Sequence, residues 1–453
     1  MNKSIYENCD KNYLKDAFDF CENYKTFITD SKTEREAIIE TVKMAEANGF
    51  VNINDFIDGN KKLKAGDKVY AINMDKAIVL CVIGKEPFEN GMNIIGSHID
   101  SPRLDLKANP IYQDGDLCML DTHYYGGIKK YQWTATPLAL HGIVVKKDGS
   151  KIRVCIGENE TDPVLGISDL LPHLDKEKRD EIVKGEELNL IAGSIFDKDA
   201  KSNKATSNII NILKEKAIEQ EDLFSSEIEV VPAGKARDFG LDRSMVLGYG
   251  QDDKVCAYPS LTALFELKNP QKTCICLLVD KEEIGSVGAT GMESMFFENT
   301  IAELISLCGD YNDLILRRCL KNSKMLSSDV TAGFDPNRQT PFNKNTDAYL
   351  GRGIAFCKYT GSRGKSGSSD ANPEYIASLR KILDENNVTY QFTEMGNVEA
   401  GGGGTIAFIM AKYDMDVIDA GVPVLSMHAP WEITCKVDIY ETYKCYKTFY
   451  KKM

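Results

Sequence analysis

Five short clusters of acidic and imidazole residues in this chain each follow an apolar run. His98 and Asp100 come after N-I-I-G-S, and Asp252 and Asp253 after M-V-L-G-Y-G-Q. Glu282 and Glu283 follow I-C-L-L-V-D-K, Asp329 follows K-M-L-S-S, and His428 follows V-P-V-L-S-M. Two imidazoles and several carboxylates, with no cysteine among them, form a ligand set suited to Zn²⁺, Mn²⁺ or Co²⁺. Two such cations about 3.5–4 Å apart need a bridging carboxylate. One imidazole and one further carboxylate on each ion then leave a carboxylate to handle protons. A turn at a strand end can aim Glu282 and Glu283 at one site, so that one binds metal and the other takes a proton from water. Metal coordination lowers the pKa of water to roughly 7, within reach of a carboxylate base. The chemistry such a set supports is metal-assisted hydrolysis.

Each fragment has an ordinary reading by itself. A lone His-x-Asp is usually structural, a Glu-Glu pair is usually surface charge, and Asp-Asp after glycine is usually a turn. Their joint placement at the ends of predicted strands, in a chain with only 5 histidines, carries the argument. In open α/β sheets, residues at the carboxyl ends of strands converge on one crevice although they are distant in sequence.

The elements that must position these residues are legible in outline. The first ~50 residues read as helical: Thr33 and Glu36 have capping-box spacing, Ile38, Val42 and Ala45 share a face, and Gly49 is a stop. A strand is predicted over 92–100. Residues 107–237 carry short alternating runs, such as L-A-L-H-G-I-V-V at 138–145 and I-R-V-C-I at 152–156, and read as an inserted β-rich domain. The run D-K-E-K-R-D-E within it reads as a solvated helix surface. After residue 240, strands are predicted at 273–279, 324–328, 405–411 and 422–427. Helices are predicted at 258–267, 292–307, 373–385 and 437–451. The alternation implies an α/β fold: a mixed, mostly parallel sheet flanked by helices. The expected division is 1–106 and 238–453 for the catalytic domain and 107–237 for the insertion.

Composition narrows the class. The 453 residues are 43% hydrophobic and 27% charged, as in ordinary soluble proteins, and the net charge is -13. An acidic chain without basic patches argues against nucleic acid as a partner. No apolar stretch reaches 18 residues, so no membrane span is expected. The 13 cysteines contain no C-x-x-C pair. The opening residues lack the apolar core of a signal peptide, and unbridged thiols fit a reducing compartment, so the cytoplasm is the expected location.

The motifs resemble the aspartyl aminopeptidase family of dinuclear zinc exopeptidases. The matching segments are G-S-H-I-D-S-P-R-L-D-L-K (96–107), Y-G-Q-D-D-K-V-C-A (249–257), V-D-K-E-E-I-G-S (279–286), S-S-D-V (327–330) with D-P-N (335–337), and V-L-S-M-H-A (424–429). Their order and spacing span most of the chain. The resemblance implies two divalent ions, zinc with cobalt or manganese as alternatives, bridged by Asp252. His98 and Asp329 would complete one site, and Glu283 and His428 the other. Glu282 would be the general base for a water held between the metals, and Asp100 would orient His98 from behind. A cis peptide between Asp252 and Asp253 is implied as well. So is a dimerisation role for the insertion, with His173 reaching a neighbouring subunit's site. Homo-oligomers, up to a tetrahedral dodecamer, belong to the same resemblance. The implied activity is hydrolysis of the N-terminal peptide bond of a peptide substrate.

Two departures from that pattern bear on specificity. T-A-T-P stands at 134–137, where the family commonly has an Asp-Arg pair. Lys358, Arg363 and Lys365 are candidates to read an acidic side chain. A carboxypeptidase or an N-acyl amino acid deacylase on the same metal scaffold is an alternative, and a non-catalytic homologue is another. E-A-G-G-G-G-T-I-A (399–407) lacks the ending of a phosphate loop and reads as a backbone-lined loop approaching substrate. His123 and His141 read as structural. The tyrosine-rich C-terminal segment reads as a helix docked on the sheet.

Overall fold

The computed structural model describes residues 3–171, 173–174, 183–361, 364–399 and 401–453. The charged run at 175–181 and Arg363 therefore lie outside the described residues. The chain divides into two compact units. One comprises Met1–Asp100, Ala236–Met427 and Glu432–Met453, and the other Ser101–Lys235 with His428–Trp431.

The first unit is built on a nine-stranded sheet. Its strands run in the spatial order Val51–Asn52, Lys68–Asn73, Ala77–Val82, Cys274–Val279, Asn93–His98, Lys324–Ser327, Asp416–Gly421, Ile354–Cys357 and Tyr390–Thr393. The four central strands, from Cys274–Val279 to Asp416–Gly421, are mutually parallel, and antiparallel pairings lie outside them. Parallel strands covered on both faces read as continuous apolar runs, as C-I-C-L-L-V does. Its residues divide by alternation. Cys274, Cys276 and Leu278 join one core cluster, while Ile275, Leu277 and Val279 join the other. The two clusters are thus the two faces of the sheet. Helices Lys11–Asp30, Glu34–Ala47, Gln251–Phe265, Pro373–Glu385 and Lys436–Lys452 contribute to the first cluster. Phe296–Cys308 and Asp313–Asn322 contribute to the second.

Local signals explain several boundaries. The Thr33 hydroxyl accepts the Glu36 N–H at 3.2 Å, and the Glu36 carboxylate accepts the Thr33 N–H at 3.3 Å, closing the capping box that starts the second helix. Gly49, just past that helix, has a φ of 83°, which glycine adopts without a Cβ penalty. The C-terminal helix is buried along much of its length and packs on the sheet: the Tyr446 hydroxyl donates to the Ala420 carbonyl at 2.7 Å.

One prediction fails. Residues 405–411 do not form a strand, because Ala407–Ala411 is a short helix in the second core cluster. A short apolar run without polar alternation fits a buried helix as well as a buried strand. A smaller five-stranded sheet, Arg237–Phe239, Met245–Gly248, Glu432–Cys435, Pro423–Leu425 and Thr331–Ala332, completes this unit.

The second unit holds a six-stranded, fully antiparallel sheet: Lys151–Ile156, Leu138–Val145, Ser226–Pro232, Arg103–Asp114, Leu117–Tyr125 and Leu190–Gly193. Helix Lys204–Glu215 packs on it. His141 is buried there with Nε2 3.0 Å from Glu158 Oε1, and His123 stacks on Tyr124. No helix among the described residues is long and apolar enough to cross a membrane. None of the 13 cysteines is in a disulfide.

Candidate metal centre

Four segments of the first unit bring acidic and imidazole groups together. His98 is the last residue of its strand and pairs in register with Val279 of the neighbouring strand. Two residues past each strand end, or three, come Asp100, the turn Glu282–Ile284 and Asp329. Asp252 and Asp253 open the helix Gln251–Phe265, where both have non-helical backbone angles and are joined by a cis peptide bond, as the resemblance implies.

The contacts are close. His98 Nε2 lies 3.1 Å from Asp252 Oδ1 and 4.0 Å from Glu282 Oε2. His98 Nδ1 lies 3.1 Å from the Asp100 carbonyl oxygen and 3.3 Å from its Oδ1. The Asp100 carboxylate also accepts the backbone N–H groups of Glu282 and Glu283, each at 3.2 Å. The His98 N–H donates to Asp253 Oδ2 at 3.3 Å. Ligand atoms of His98, Asp252 and Glu283 all lie within 4.8 Å of one another, and so do those of His98, Asp253 and Asp329. The two groups share His98.

The charges in this cluster are unbalanced. Burial would lower the His98 pKa, but its hydrogen bonds to Asp100 and Asp252 and the charge of Glu282 overcome that and hold the imidazole well above the usual histidine range. Burial pushes Asp253 well above the carboxylate range against the pull of His98, with Asp252 adding repulsion. Burial raises Asp329 likewise, reinforced by the charges of Asp253 and Glu282. Carboxylates crowded together without enough positive charge hold protons, and a divalent cation is the species that displaces those protons. Asp253 Oδ1 is buried with no hydrogen-bond partner among the described residues. Imidazole nitrogen with carboxylate oxygen is a fitting donor set for zinc.

Not every predicted residue is drawn in. His428 belongs with the second unit, its Nδ1 3.0 Å from the Gly127 carbonyl oxygen, and it is in neither group of three. His173 sits in an exposed turn of the second unit. Lys358 and Lys365 both approach Asp370, at 3.8 and 3.2 Å. The Gly-rich loop is tied to residues 359–361 through the Gly361 N–H, which donates to the Gly403 carbonyl at 2.9 Å.

Two residues outside the predicted set belong to the cluster or touch it. Asp253 enters one of the groups of three. In the sequence it stands as the second acid of the pair after M-V-L-G-Y-G-Q, to which the resemblance assigns no ligand role. Glu432, 1% exposed, accepts the Asp252 N–H at 3.1 Å. Nothing in the pattern W-E-I-T-C marks it.

The chain is similar to known proteins over most of its length. The family model described as aminopeptidase I zinc metalloprotease (M18) matches residues 27–450. A probable M18 family aminopeptidase 1 of Clostridium acetobutylicum is 57% identical, over 99% of this chain and 97% of the relative. The crystal structure of an M18 family aminopeptidase from Thermotoga maritima superposes with a TM-score of 0.95 at 40% identity, covering all of both chains. A Saccharomyces cerevisiae mApe1 structure, described as a dodecamer, shares the fold at 20% identity, with a TM-score of 0.78 over 97% of each chain. With its acidic and imidazole cluster by the carboxyl ends of the central parallel strands of a mixed sheet, the chain belongs to the M18 family of zinc metalloprotease aminopeptidases.

Proposed function

We propose that this aminopeptidase removes N-terminal residues from peptides at a pair of zinc ions. Asp252 would hold both ions, with His98 and Asp329 on one and Glu283 on the other. His428 is proposed as the second imidazole on the strength of its sequence motif alone. When bound, the ions supply positive charge that polarises the scissile carbonyl and acidifies water. Asp100 holds the proton on His98 Nδ1, so the Nε2 lone pair is the one presented to a ligand. Its carboxylate also pins the turn that carries both glutamates. Glu282 accepts the proton of the attacking water and passes it to the departing amine. The observation that carries this reading is the convergence of His98, Asp252, Glu283 and Asp329 from four separate segments.

Matched peptides with free and acetylated amino termini test it, together with metal analysis by mass spectrometry. Two zinc ions per chain and cleavage only of the free-amine peptides are expected. Cleavage of the acetylated peptides in preference to the free ones would sink the aminopeptidase assignment for this site. We further propose a cytoplasmic homo-oligomer, a dodecamer by analogy with the yeast protein of the same fold, to be read from the mass by light scattering.

A further inference from the structure

Glu432 lies in the strand Glu432–Cys435 of the five-stranded sheet, which pairs in register with Met245–Gly248. Its side chain is buried, and its Oε2 accepts the Asp252 N–H at 3.1 Å. The neighbouring residue is held from the same strand. Gln251 Nε2 donates to the Glu432 carbonyl at 2.6 Å and to the Val246 carbonyl at 3.1 Å. Gln251 Oε1 accepts from the Thr434 hydroxyl and, at 3.3 Å, from the Tyr24 hydroxyl. Residues 251 and 252 are therefore clamped through both their side-chain and backbone groups.

The first N–H groups of a helix have no partner within it and need one from outside. At Asp252 that partner is a carboxylate, and charge-assisted hydrogen bonds are the strong kind. Fixing the N–H fixes the peptide plane before Asp252 and so aims its side chain. That side chain is the one whose Oδ1 stands 3.1 Å from His98 Nε2. Asp100 does the same for the Glu282–Glu283 turn, accepting both of its backbone N–H groups.

We infer that Glu432 is a positioning residue for the metal centre, holding Asp252 in its ligating orientation through the Asp252 N–H. The inference rests on Asp252 being a ligand, as proposed above. Glu432→Ala removes the acceptor, whereas Glu432→Gln keeps an oxygen that can accept the same N–H. Zinc affinity is measured by competition with a chromophoric chelator, and the ligand field by the visible absorption of the cobalt-loaded protein. Folding of each variant is checked by circular dichroism.

Glu432→Ala is expected to bind zinc roughly 10- to 100-fold more weakly, as for other residues that support metal ligands, with a shifted cobalt spectrum. Glu432→Gln is expected to keep the wild-type spectrum and most of the affinity. Wild-type affinity and spectrum in Glu432→Ala would overturn the inference. So would equal losses in both variants, which would assign the effect to charge. Should Glu432→Ala fail to fold, Glu432→Gln decides alone: retained affinity and spectrum support the clamp, and their loss overturns it. The wild-type protein is the control, because failure to take up metal there would sink the metal reading and not the role of Glu432.

Discussion

The Asp100 carboxylate accepts the backbone N–H of Glu282 at 3.2 Å while its other oxygen accepts that of Glu283. The same side chain lies 3.3 Å from His98 Nδ1. One buried carboxylate thus fixes an imidazole and a two-glutamate turn together. Replacing Asp100 with Ala is expected to lower zinc affinity and kcat/KM roughly 10- to 100-fold. Zinc titration and steady-state kinetics would check this. Kinetics unchanged from wild type would mean that the turn holds its shape unaided.

In the proposed mechanism Glu282 is the carboxylate left for proton transfer; its Oε2 lies 4.0 Å from His98 Nε2, and its backbone N–H donates to Asp100. Glu282→Gln removes the base without removing a ligand. Turnover is expected to fall about 10²–10⁴-fold with zinc content near wild type. A variant that loses zinc along with activity would reassign Glu282 to the ligand set.

Asp419, in the middle of the sheet, titrates unusually. Burial raises its pKa from the ordinary 3.8 to about 6, against hydrogen bonds from Thr405 and Ser327. The folded chain therefore holds a proton that the unfolded chain releases. The resulting stabilisation is complete below about pH 4 and is lost as pH rises through about 6, on the order of 3 kcal/mol at most. Asp419→Asn should flatten stability across that window. Urea midpoints at pH 4 and pH 7 for both proteins test this, and an identical change in each would exclude Asp419 as the source.

The capping box at Thr33 can be removed locally. Thr33→Ala deletes the acceptor for the Glu36 N–H at a buried helix start. A loss of about 1 kcal/mol is expected, read from urea unfolding. No loss would show that tertiary packing alone sets that helix end.

Much of the architecture was legible because local signals agreed with burial. Helix 373–385 is predicted and observed with identical bounds, since Pro373 at its first turn and the spaced apolar residues Tyr375, Leu379 and Leu383 coincide. The strand 138–145 shows the same agreement. The strand Asp416–Gly421 escaped because two aspartates interrupt its apolar run, and Asp419 is buried at a cost that pattern reading does not anticipate. Helix Ala407–Ala411 was misread because five apolar residues carry no period. In the site, the clustering of His98, Asp252, Glu283 and Asp329 was foreseeable from strand ends. The entry of Asp253 into the cluster depends on the backbone turn between it and Asp252. The contact from Glu432 depends on strand pairing across 180 residues, which a local motif does not encode.

The strand Asn93–His98 is bonded in register to a parallel neighbour on each side, with His98 opposite Val279 and Gly96 opposite Ser327. Deleting or inserting one residue in any of these three strands would rotate every later side chain to the reverse face of the sheet. Loops beyond the turns that carry Asp100, Glu282, Glu283 and Asp329 can change length and composition while the chemistry persists. The inherited spacing inside these strands cannot, and evolutionary drift in this chain should be confined to substitutions there.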